Sequence, residues 1–599
     1  MRTRRLAWVV GVVALLATVV VPAAEAEDQV TVPTRPGQKV AVHWEGTAVP
    51  GANPGSECGD TGSDSHEVTI KVPPGVYEHL GVTAVAKAEY SGPNDVIVTV
   101  VRPDGKTVSG DDGFVDSDES TSFGNPASGT YVIRTCMFAG ATPQAYKGTL
   151  ELTAKALPIV LPPCHAPREG LTFSKPSYVD KARAGGEPSV RAHPNGKTLL
   201  YAAHAGTTHF FTPDAGGEST GAFYEHYRGQ VYAWYSDHDG ETWKYVEREP
   251  PLSGFSDPDF AIDAAGNTYL SEINLANVAV SKSEDAGHSY ELKNFFAMTM
   301  TDRQWKEAGP ADTVFMVGNA DAGGTFPTDP VGNSGHLIYR STDGGETFSE
   351  AVHDDGGLGD LAYDHTSDTL YEAHYDEGKL QIAAFRTPLV DDAEKALTPQ
   401  LNTIATGVNM LSHWPAIDVD RAGNVYIVWD ESGEGTRPGG VWYSYSRDGG
   451  RTWYSPERVD PDDRTEIWPW IAVGEPGRVA IAWFGNDHHL EDNNAELAGD
   501  GDPWNVYVAQ TLTGLGCPWS HRVGFRVTKA TPEPFHVGTV CMGGTVCQAE
   551  LVDRRLGDYF TIDIDTKGAL VAAYSDTRQG GAVALPAFFR QTGGPPFAG

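Results

Sequence analysis

Acidic, basic and aromatic residues recur at one position of a repeated segment that spans most of this chain. Aligning the copies places the following residues at equivalent positions: Glu187, Asp257, Asp302, Leu358, Trp414, Trp468 and Tyr559. Adjacent positions and the stretch before the last copy add Asp259, Arg303, Asp360, His413, Trp470, Arg554, Arg555 and Asp558. Carboxylates and an imidazole can transfer protons, a guanidinium can neutralise an acidic group, and indole rings can stack on a sugar.

These residue types predict a site for an extracellular glycan. If the site is catalytic, we expect the chemistry to be carried by Asp257, Asp302, Arg303, His413, Arg555, Asp558 and Tyr559. We expect the substrate to be bound by Trp414, Trp468, Asp259 and Asp360. In a lyase, His413 or Tyr559 could be the base, and Arg555 could neutralise a uronate. The alternative is that several of these residues are satisfied turn or core groups, with the tryptophans packed inside the fold.

The repeated segment has the form apolar-Asp-x-x-Gly-Asn-apolar-Tyr and predicts the strands that carry these residues. It is clearest at 260–269 and 417–426, and weaker copies begin near Val190, Trp305, Leu361, Ile471 and Ile562. Repeats of this length, each one strand and a turn, are typical of blades arranged around an axis. Seven copies predict an all-β fold, a β-propeller of seven blades, with six as the alternative. The site would lie where the inner strands converge at the channel mouth.

A second pattern, Ser-x-Asp-x-Gly-x-Thr-aromatic, occurs at four places that begin at Ser236, Ser283, Ser341 and Ser446. Each copy follows a strand-like run and ends on an aromatic residue that can start another strand, which predicts a hairpin turn. A carboxylate can accept hydrogen bonds from turn amides, and glycine adopts positive φ without strain. We therefore expect a structural role for Asp239, Asp285, Asp343 and Asp448.

These four copies resemble the Asp box of sialidases and other Asp-box β-propellers, and the resemblance covers roughly the last three quarters of the chain. It implies a sialidase-like glycosidase of the exo-α-sialidase type, with a three-arginine clamp, an Asp acid/base and a Tyr nucleophile assisted by Glu. The Phe/Tyr-Arg-Ile-Pro motif of that family is absent, and no arginine matches the clamp residue by residue. The alternative is a propeller that binds carbohydrate or protein without catalysis.

The N-terminal quarter predicts export and an accessory domain. Residues 1–26 have basic residues, an apolar run and small residues before Ala26, as in a signal peptide, so we expect a secreted protein cleaved there. Residues 27–155 alternate between strand-like runs and turns, which predicts a small β-sandwich. The segments 72–77, 101–106 and 128–133 resemble the bacterial pre-peptidase C-terminal domain. Residues 156–164 are a Pro-rich linker, and 165–599 form the propeller.

Charge and cysteine content limit the partners. The net charge of −36, from 80 acidic and 44 basic residues, argues against nucleic acid. The acidic loops 460–463 and 487–502 could hold calcium, although solvated surface is the alternative; no other cofactor is expected. We expect no membrane span and a monomer. Six cysteines in an exported chain favour disulfides. We expect the pairs Cys58–Cys136, Cys541–Cys547 and Cys164–Cys517, and rank zinc at His536, Cys541 and Cys547 below them.

Overall fold

The computed structural model describes residues 28–50, 57–73, 76–92, 94–110, 118–156, 167–204, 231–248, 256–274, 277–299, 301, 303–319, 336–349, 352–354, 357–376, 378–386, 388–390, 397–410, 415–434, 436–517, 521–544, 547, 552–579 and 581–598. The predicted signal peptide and most of the predicted linker lie outside these residues. The chain divides into two compact units, one built mainly from residues before 153 and the other from the remainder. Among the described residues, no helix is long and apolar enough to cross a membrane.

The first unit is a pair of β-sheets. Its strands are β1 (Asp28–Thr31), β2 (Lys39–Ala48), β3 (Asp64–Lys71), β4 (Leu80–Tyr90), β5 (Asp95–Val101), β6 (Thr107–Gly110), β7 (Asp118–Gly124), β8 (Gly129–Ala139) and β9 (Gln144–Ala156), with one helical turn, α1 (Val76–His79). The strand orders are β1-β3-β8-β5-β6 and β2-β9-β4-β7. Buried and exposed residues alternate along β4 and β7, because one face of each strand packs on the core and the other meets water.

In the second unit, the described residues form seven antiparallel sheets, five of four strands and two of five, here called blades 1 to 7. Blades 1 to 3 consist of β12 (Gly186–Ala192), β13 (Leu199–His204), β14 (Val231–Ser236), β15 (Lys244–Tyr245); β16 (Ser256–Ile262), β17 (Thr268–Asn274), β18 (Asn277–Ser283), β19 (Glu291–Thr299); and β20 (Trp305–Ala308), β21 (Val314–Asn319), β22 (His336–Ser341), β23 (Val352–Asp354). Blades 4 and 5 consist of β24 (Leu361–Asp364), β25 (Thr369–Asp376), β26 (Lys379–Arg386), β27 (Gln400–Thr406); and β28 (Ala416–Val419), β29 (Val425–Glu431), β30 (Gly440–Ser446), β31 (Glu457–Arg458).

Blades 6 and 7 complete the set. Blade 6 has β32 (Thr465–Val473), β33 (Val479–Asn486), β34 (Pro503–Thr511) and β35 (Arg526–Lys529), with β36 (His536–Val537) on β34 and two 3-10 turns at Glu491–Asn493 and Ala495–Leu497. Blade 7 has β37 (Ile562–Ile564), β38 (Leu570–Asp576) and β39 (Leu585–Gly593). Its fourth strand is β10 (Thr172–Phe173), from the start of the unit, and β11 (Ser177–Tyr178) also pairs with β39.

The first strands of the seven blades form a closed ring. Each first strand contacts the first strand of the following blade, and β37 of blade 7 contacts β12 of blade 1. Pairing of the N-terminal β10 with the C-terminal β39 joins the two ends of the ring within one sheet. The unit is therefore a β-propeller, and its first strands are the inner strands around the axis.

The second strand of each blade has a continuous apolar sequence because both of its faces are buried. All residues of β29, β33 and β38 are buried, because neighbouring blades cover both faces of each sheet. The four Ser-x-x-x-Gly turns join third to fourth strands at the end where the inner strands finish, since Ala192 pairs with Leu199 and Leu199 pairs with Ser236. The opposite end, where the inner strands begin, is called the mouth below.

Candidate functional site at the channel mouth

Four inner strands have a residue with a strained backbone within their first residues or, in blade 3, just before the strand. Glu187, Asp257, Arg303 and Trp468 have φ values of 47°, 50°, 57° and 54°. A left-handed conformation costs an L-residue about 1–2 kcal/mol, and three of the four also precede proline, which restricts the backbone further. Strain of this kind persists where the surroundings enforce it and is concentrated at functional sites.

The residues with positive φ can be compared with the positions that the sequence repeats placed at equivalent points of the inner strands. Glu187, Asp257 and Trp468 stand where the repeats placed them, but in blade 3 the strained residue is Arg303, one position after the predicted Asp302. Asp302 itself, like the predicted His413 and Trp414, lies outside the described residues. Their roles stay predictions.

The predicted catalytic Asp558 belongs to a closed ion network. Arg554 Nη2 donates to Asp558 Oδ2 at 2.7 Å and lies 3.6 Å from Glu187 Oε1. Glu187 also accepts from the Asp558 amide at 3.1 Å and contacts His204 Nε2 at 2.8 Å. All four residues are buried. Although burial opposes its charge, the Asp558 carboxylate raises the pKa of Arg554. This network joins blades 7 and 1 and engages both carboxylate oxygens of Asp558 with Arg554, so a catalytic role for Asp558 is not supported.

Tyr559 lies in an aromatic plug on the axis. Its ring is 4.7 Å from that of Trp305 in blade 3, and Trp305 is 5.3 Å from Trp470 in blade 6. Because these residues come from non-adjacent blades, they meet across the channel and close it. The Tyr559 hydroxyl donates to the Pro258 carbonyl at 2.8 Å, and burial raises its pKa well above the usual value. The buried and bonded hydroxyl fits a structural role, and the predicted role of Tyr559 as a base or nucleophile stays a prediction.

The predicted substrate-binding residues Asp259 and Asp360 instead connect blades. Asp259 accepts from the Phe260 amide at 2.8 Å and from the Lys306 amide of blade 3 at 3.0 Å. Asp360 accepts from its neighbouring amide, Leu361, at 2.8 Å and from the Ile417 amide of blade 5 at 3.3 Å. Both carboxylates are buried and engaged at both oxygens. We correct their assignment from substrate binding to structure.

Two further aspartates that were not singled out in the sequence make the same bridge. Asp418 accepts from its neighbouring amide and from the Val473 amide of blade 6 at 2.7 Å, and Asp563 does so with the Ala192 amide of blade 1 at 2.8 Å. An inner strand is the edge of its blade, so its outward amides lack a strand partner. The four aspartates, here called the bridging aspartates, satisfy some of these amides. Burial raises the pKa of Asp418 to about 7 and that of Asp563 as well.

Charged side chains also line the channel further from the mouth. Arg191 of blade 1 lies 3.8 Å from Glu307 of blade 3. Burial lowers the pKa of Arg191, but Asp563, Glu307 and the other carboxylates around the axis outweigh this and raise it. Burial raises the pKa of Glu307. Each of these charged residues stands about two residues before the closing turn of its inner strand, and this position is the signal that the sequence offers. The sequence does not show that these positions meet, because that depends on the geometry of the ring.

Of the predicted arginines, Arg303 is partly exposed at the mouth and Arg555 is committed elsewhere. Arg555 Nε is 3.0 Å from both oxygens of Asp553, and its Nη1 donates to the Gly581 carbonyl at 2.8 Å. A guanidinium held this way does not suit the predicted uronate contact. Asp257 is a predicted catalytic carboxylate whose backbone is held in place by hydrogen bonds. Gln304 Nε2 donates to its carbonyl at 2.5 Å, and Tyr559 holds the following residue.

Three of the four predicted Asp-box aspartates make the expected turn bonds. Asp285, Asp343 and Asp448 accept from the amide four residues later at 2.9, 2.9 and 2.8 Å. The box serine accepts from the glycine amide at 2.8 to 2.9 Å in each case. These turns lie at the end of the blades opposite the mouth, which fits a structural role.

The assignment of Asp239 to the first Asp box is wrong by one residue. Counting from Ser236, the position of the other aspartates is occupied by His238, whose Nδ1 is 3.2 Å from Thr242 Oγ1. Asp239 takes the next position, with φ of 52°, and its carboxylate pairs with Lys567 of blade 7 at 2.8 Å. The sequence Asp-His-Asp offered two acidic candidates, and neither lies at the box position.

The cysteine and metal predictions have mixed outcomes. Cys58–Cys136 and Cys541–Cys547 are disulfides, as expected, which excludes these cysteines as zinc ligands. The predicted partner of Cys517, Cys164, lies outside the described residues. Among the described residues, the one close group of three His, Cys, Asp or Glu side chains is Glu496 with that second disulfide. In the acidic loops, Asp460 is paired with Arg464 and Asp502 with His488, and calcium there stays a prediction.

Comparison with known proteins gives distant structural likenesses. No protein-family model and no curated protein matches the chain. A point mutant of the NanB sialidase from Streptococcus pneumoniae is 12% identical with a TM-score of 0.34, covering 85% of this chain and 94% of that one. The α-L-arabinanase of Penicillium chrysogenum is 11% identical with a TM-score of 0.35 (72% and 98% covered). The Aleuria aurantia lectin is 8% identical with a TM-score of 0.34 (61% and 97%). No statement about activity follows from likenesses of this size.

Proposed function

We propose that this chain is a secreted propeller that acts on extracellular glycans at the mouth of its channel. The observation that carries the proposal is the set of strained residues at the starts of the inner strands, which includes a carboxylic acid, Asp257, and a partly exposed guanidinium cation, Arg303. The acid offers a proton donor, and the guanidinium offers a hydrogen-bond donor for acidic or hydroxyl groups. Trp468, predicted to stack on the substrate, is instead buried and packs against Phe484.

In the enzymatic form of this proposal, Asp257 is the general acid of a glycosidase-type reaction. Gln304 and Tyr559 hold the Asp257–Pro258 backbone, and Oδ1 of the buried Asp257 carboxyl group accepts from Ser256 Oγ. Precise placement is what acid catalysis requires, because a proton must be delivered to one glycosidic oxygen. The predicted His413 and Asp302 would supply the partner group.

A second candidate is a glycan-binding propeller without catalysis. It is favoured by one observation: Arg554, Asp558 and Glu187 are buried and bonded to each other. Arg303 is partly exposed at the mouth, whereas Arg555 is held by Asp553 and the Gly581 carbonyl. A three-arginine clamp of the sialidase type is therefore not proposed.

The experiment is a screen of sialosides and uronate-containing polysaccharides for both binding and cleavage, using the full chain. Asp257→Asn conserves shape and removes the proton, so an enzyme should lose turnover and keep binding. Arg303→Ala should weaken binding in either case. Asp343→Ala, on the opposite end of the blades, is the matched control and should change neither. Binding that is unaffected by Arg303→Ala, or altered by the control, would refute the location of the site.

A further inference from the structure

Glu466, on the inner strand of blade 6, is a fully buried carboxyl group with only half of its hydrogen-bonding capacity used. Its side chain is inaccessible to solvent, and Oε2 accepts from the Val441 amide of blade 5 at 2.8 Å. Oε1 is buried and has no hydrogen-bond partner among the described residues. An ionised carboxylate needs donors at both oxygens, so this environment is unfavourable for the charged form.

The charged groups around Glu466 lie on the strand and connection that lead out of blade 5. Asp460 is a neighbouring carboxyl group, and its own oxygens accept from other donors: Oδ2 from Arg464 Nη1 at 2.6 Å and Oδ1 from the Asp462 amide at 3.0 Å. Arg458, on β31, donates to the Asp462 carbonyl at 3.0 Å. Burial, and then the neighbouring Asp460 charge, raise the pKa of Glu466 well above its usual value, against the opposing effects of the Val441 amide and the Arg458 charge.

We propose that Glu466 keeps its proton in the folded protein and shares it with Asp460, so that the junction between blades 5 and 6 is a pH-sensitive switch. Two carboxyl groups side by side hold one proton in preference to two negative charges. A divalent cation is the other species that could join two carboxyl groups. It is disfavoured here because Arg464 already occupies one Asp460 oxygen and Arg458 adds a second positive charge close by.

Loss of this proton would act on the mouth through the backbone of β32. Asn493 fixes Glu466 on both sides, accepting from its amide at 2.8 Å and donating to its carbonyl at 2.7 Å. Two residues further on is the strained Trp468, whose amide donates to Asp430 Oδ2 at 3.1 Å. An ionised Glu466 would repel Asp460 and strain the segment that presents Trp468. Alkaline pH should therefore change the conformation of the mouth near Trp468.

The test is the stability of the full chain as a function of pH, for the wild type and Glu466→Gln. Glutamine can accept from the Val441 amide and donate from Nε2 to Asp460, so it mimics the protonated acid at every pH. A raised folded-state pKa means that the contribution of Glu466 is complete below its usual pKa and is lost as pH rises through the raised value. Relative to the variant, the wild type should lose up to about tenfold in its folding equilibrium constant per pH unit across that window.

Glu431→Gln is the matched control, because Glu431 is an equally buried carboxylate with all its donors present. Its oxygens accept from the Asn409 amide at 2.8 Å, Trp429 Nε1 at 3.0 Å and Arg437 Nη1 at 3.1 Å. This variant should be destabilised and should not remove the alkaline loss. Parallel pH curves for the wild type and Glu466→Gln would overturn the proposal.

Two measurements on the wild type keep the proposal testable if Glu466→Gln does not fold. Isotope-edited infrared spectra at neutral pH should show the band of a protonated glutamic acid, which disappears at alkaline pH as stability falls. Absence of that band would overturn the proposal. Calcium chloride and a chelator should leave the melting temperature unchanged at neutral pH; a calcium-dependent increase that is lost in an Asp460→Asn variant would assign the pair to a cation instead.

Discussion

Removing the aspartate from one Asp box and adding an aspartate to another should change the stability of the propeller in opposite directions. In the fourth box, Asp448 accepts from Ser446 Oγ at 2.8 Å, the Thr452 amide at 2.8 Å and Thr452 Oγ1 at 2.7 Å. Each such bond contributes about 0.5–1.5 kcal/mol net, and less at the surface. Asp448→Ala should therefore lower the free energy of unfolding by about 1–3 kcal/mol.

The first box supplies both a gain-of-stability variant and a negative control. His238 occupies the aspartate position there and contacts Thr242 Oγ1 at 3.2 Å. His238→Asp places a carboxylate where the other three boxes have one, so we expect a gain of up to about 1 kcal/mol. Asp239→Ala removes the exposed pair with Lys567 and a longer one, 3.9 Å, with Arg590. Such pairs contribute about 0–1 kcal/mol, so this variant should be nearly neutral.

The assay is denaturant unfolding of the full chain followed by tryptophan fluorescence. Twelve of the fourteen tryptophans lie after residue 165, so the signal reports the propeller. The order of stability should be His238→Asp, wild type, Asp239→Ala, then Asp448→Ala. A loss on Asp239→Ala as large as that on Asp448→Ala would refute the assignment of the box position to His238.

Four further outcomes are expected. Ala286→Gly should raise stability by about 0.5–1 kcal/mol, because Ala286 has φ of 58° in the second Asp box; unchanged unfolding would argue against strain there. Asp418→Ala should cost about 1–3 kcal/mol by leaving the Val473 amide unpaired. With a folded-state pKa of about 7, the Asp418 contribution should be largest below about pH 4 and fall as pH rises through 7; a loss that grows with pH would contradict this. Asp237, with its pKa lowered to about 2, raises the pKa of His288 against the effect of burial, so His288→Ala should cost stability near pH 5 and little near pH 9. Finally, Tyr559→Phe should keep ligand binding and most turnover, because the bond that its hydroxyl makes among the described residues is to the Pro258 backbone; complete inactivation would support its predicted catalytic role.

The repeats predicted the fold because they encode local structure. Ser-x-Asp-x-Gly and Asp-x-x-Gly-Asn each fix a turn through bonds within a few residues, such as Asp263 accepting from the Asn267 amide at 3.0 Å, so their recurrence reports the blades directly. Asp239 shows the limit of this reasoning. In Asp-His-Asp, composition favoured an acid at the box position, whereas the chain places histidine there.

Residue roles at the mouth were less predictable because they depend on neighbouring blades. Asp259 and Asp360 have the composition of a binding site, but each accepts from an amide that lies 47 or 57 residues away in the chain. Tyr559 meets Trp305 across the axis, which no single repeat encodes. Arg303 was found as a neighbour of the expected position, and its strained backbone was identified only from the structure.

Binding of a glycan at the mouth is tested most directly by an affinity measurement. The affinity of the best glycan from the screen is measured for the Arg303→Ala variant and for the Asp343→Ala variant. Titration calorimetry of the two full-length variants makes the comparison. Loss of one charged hydrogen bond to the ligand predicts a fall in affinity of about tenfold or more for Arg303→Ala. The control should bind as the wild type does. Equal affinity in Arg303→Ala and the wild type, or a loss confined to Asp343→Ala, would contradict a binding site at the mouth.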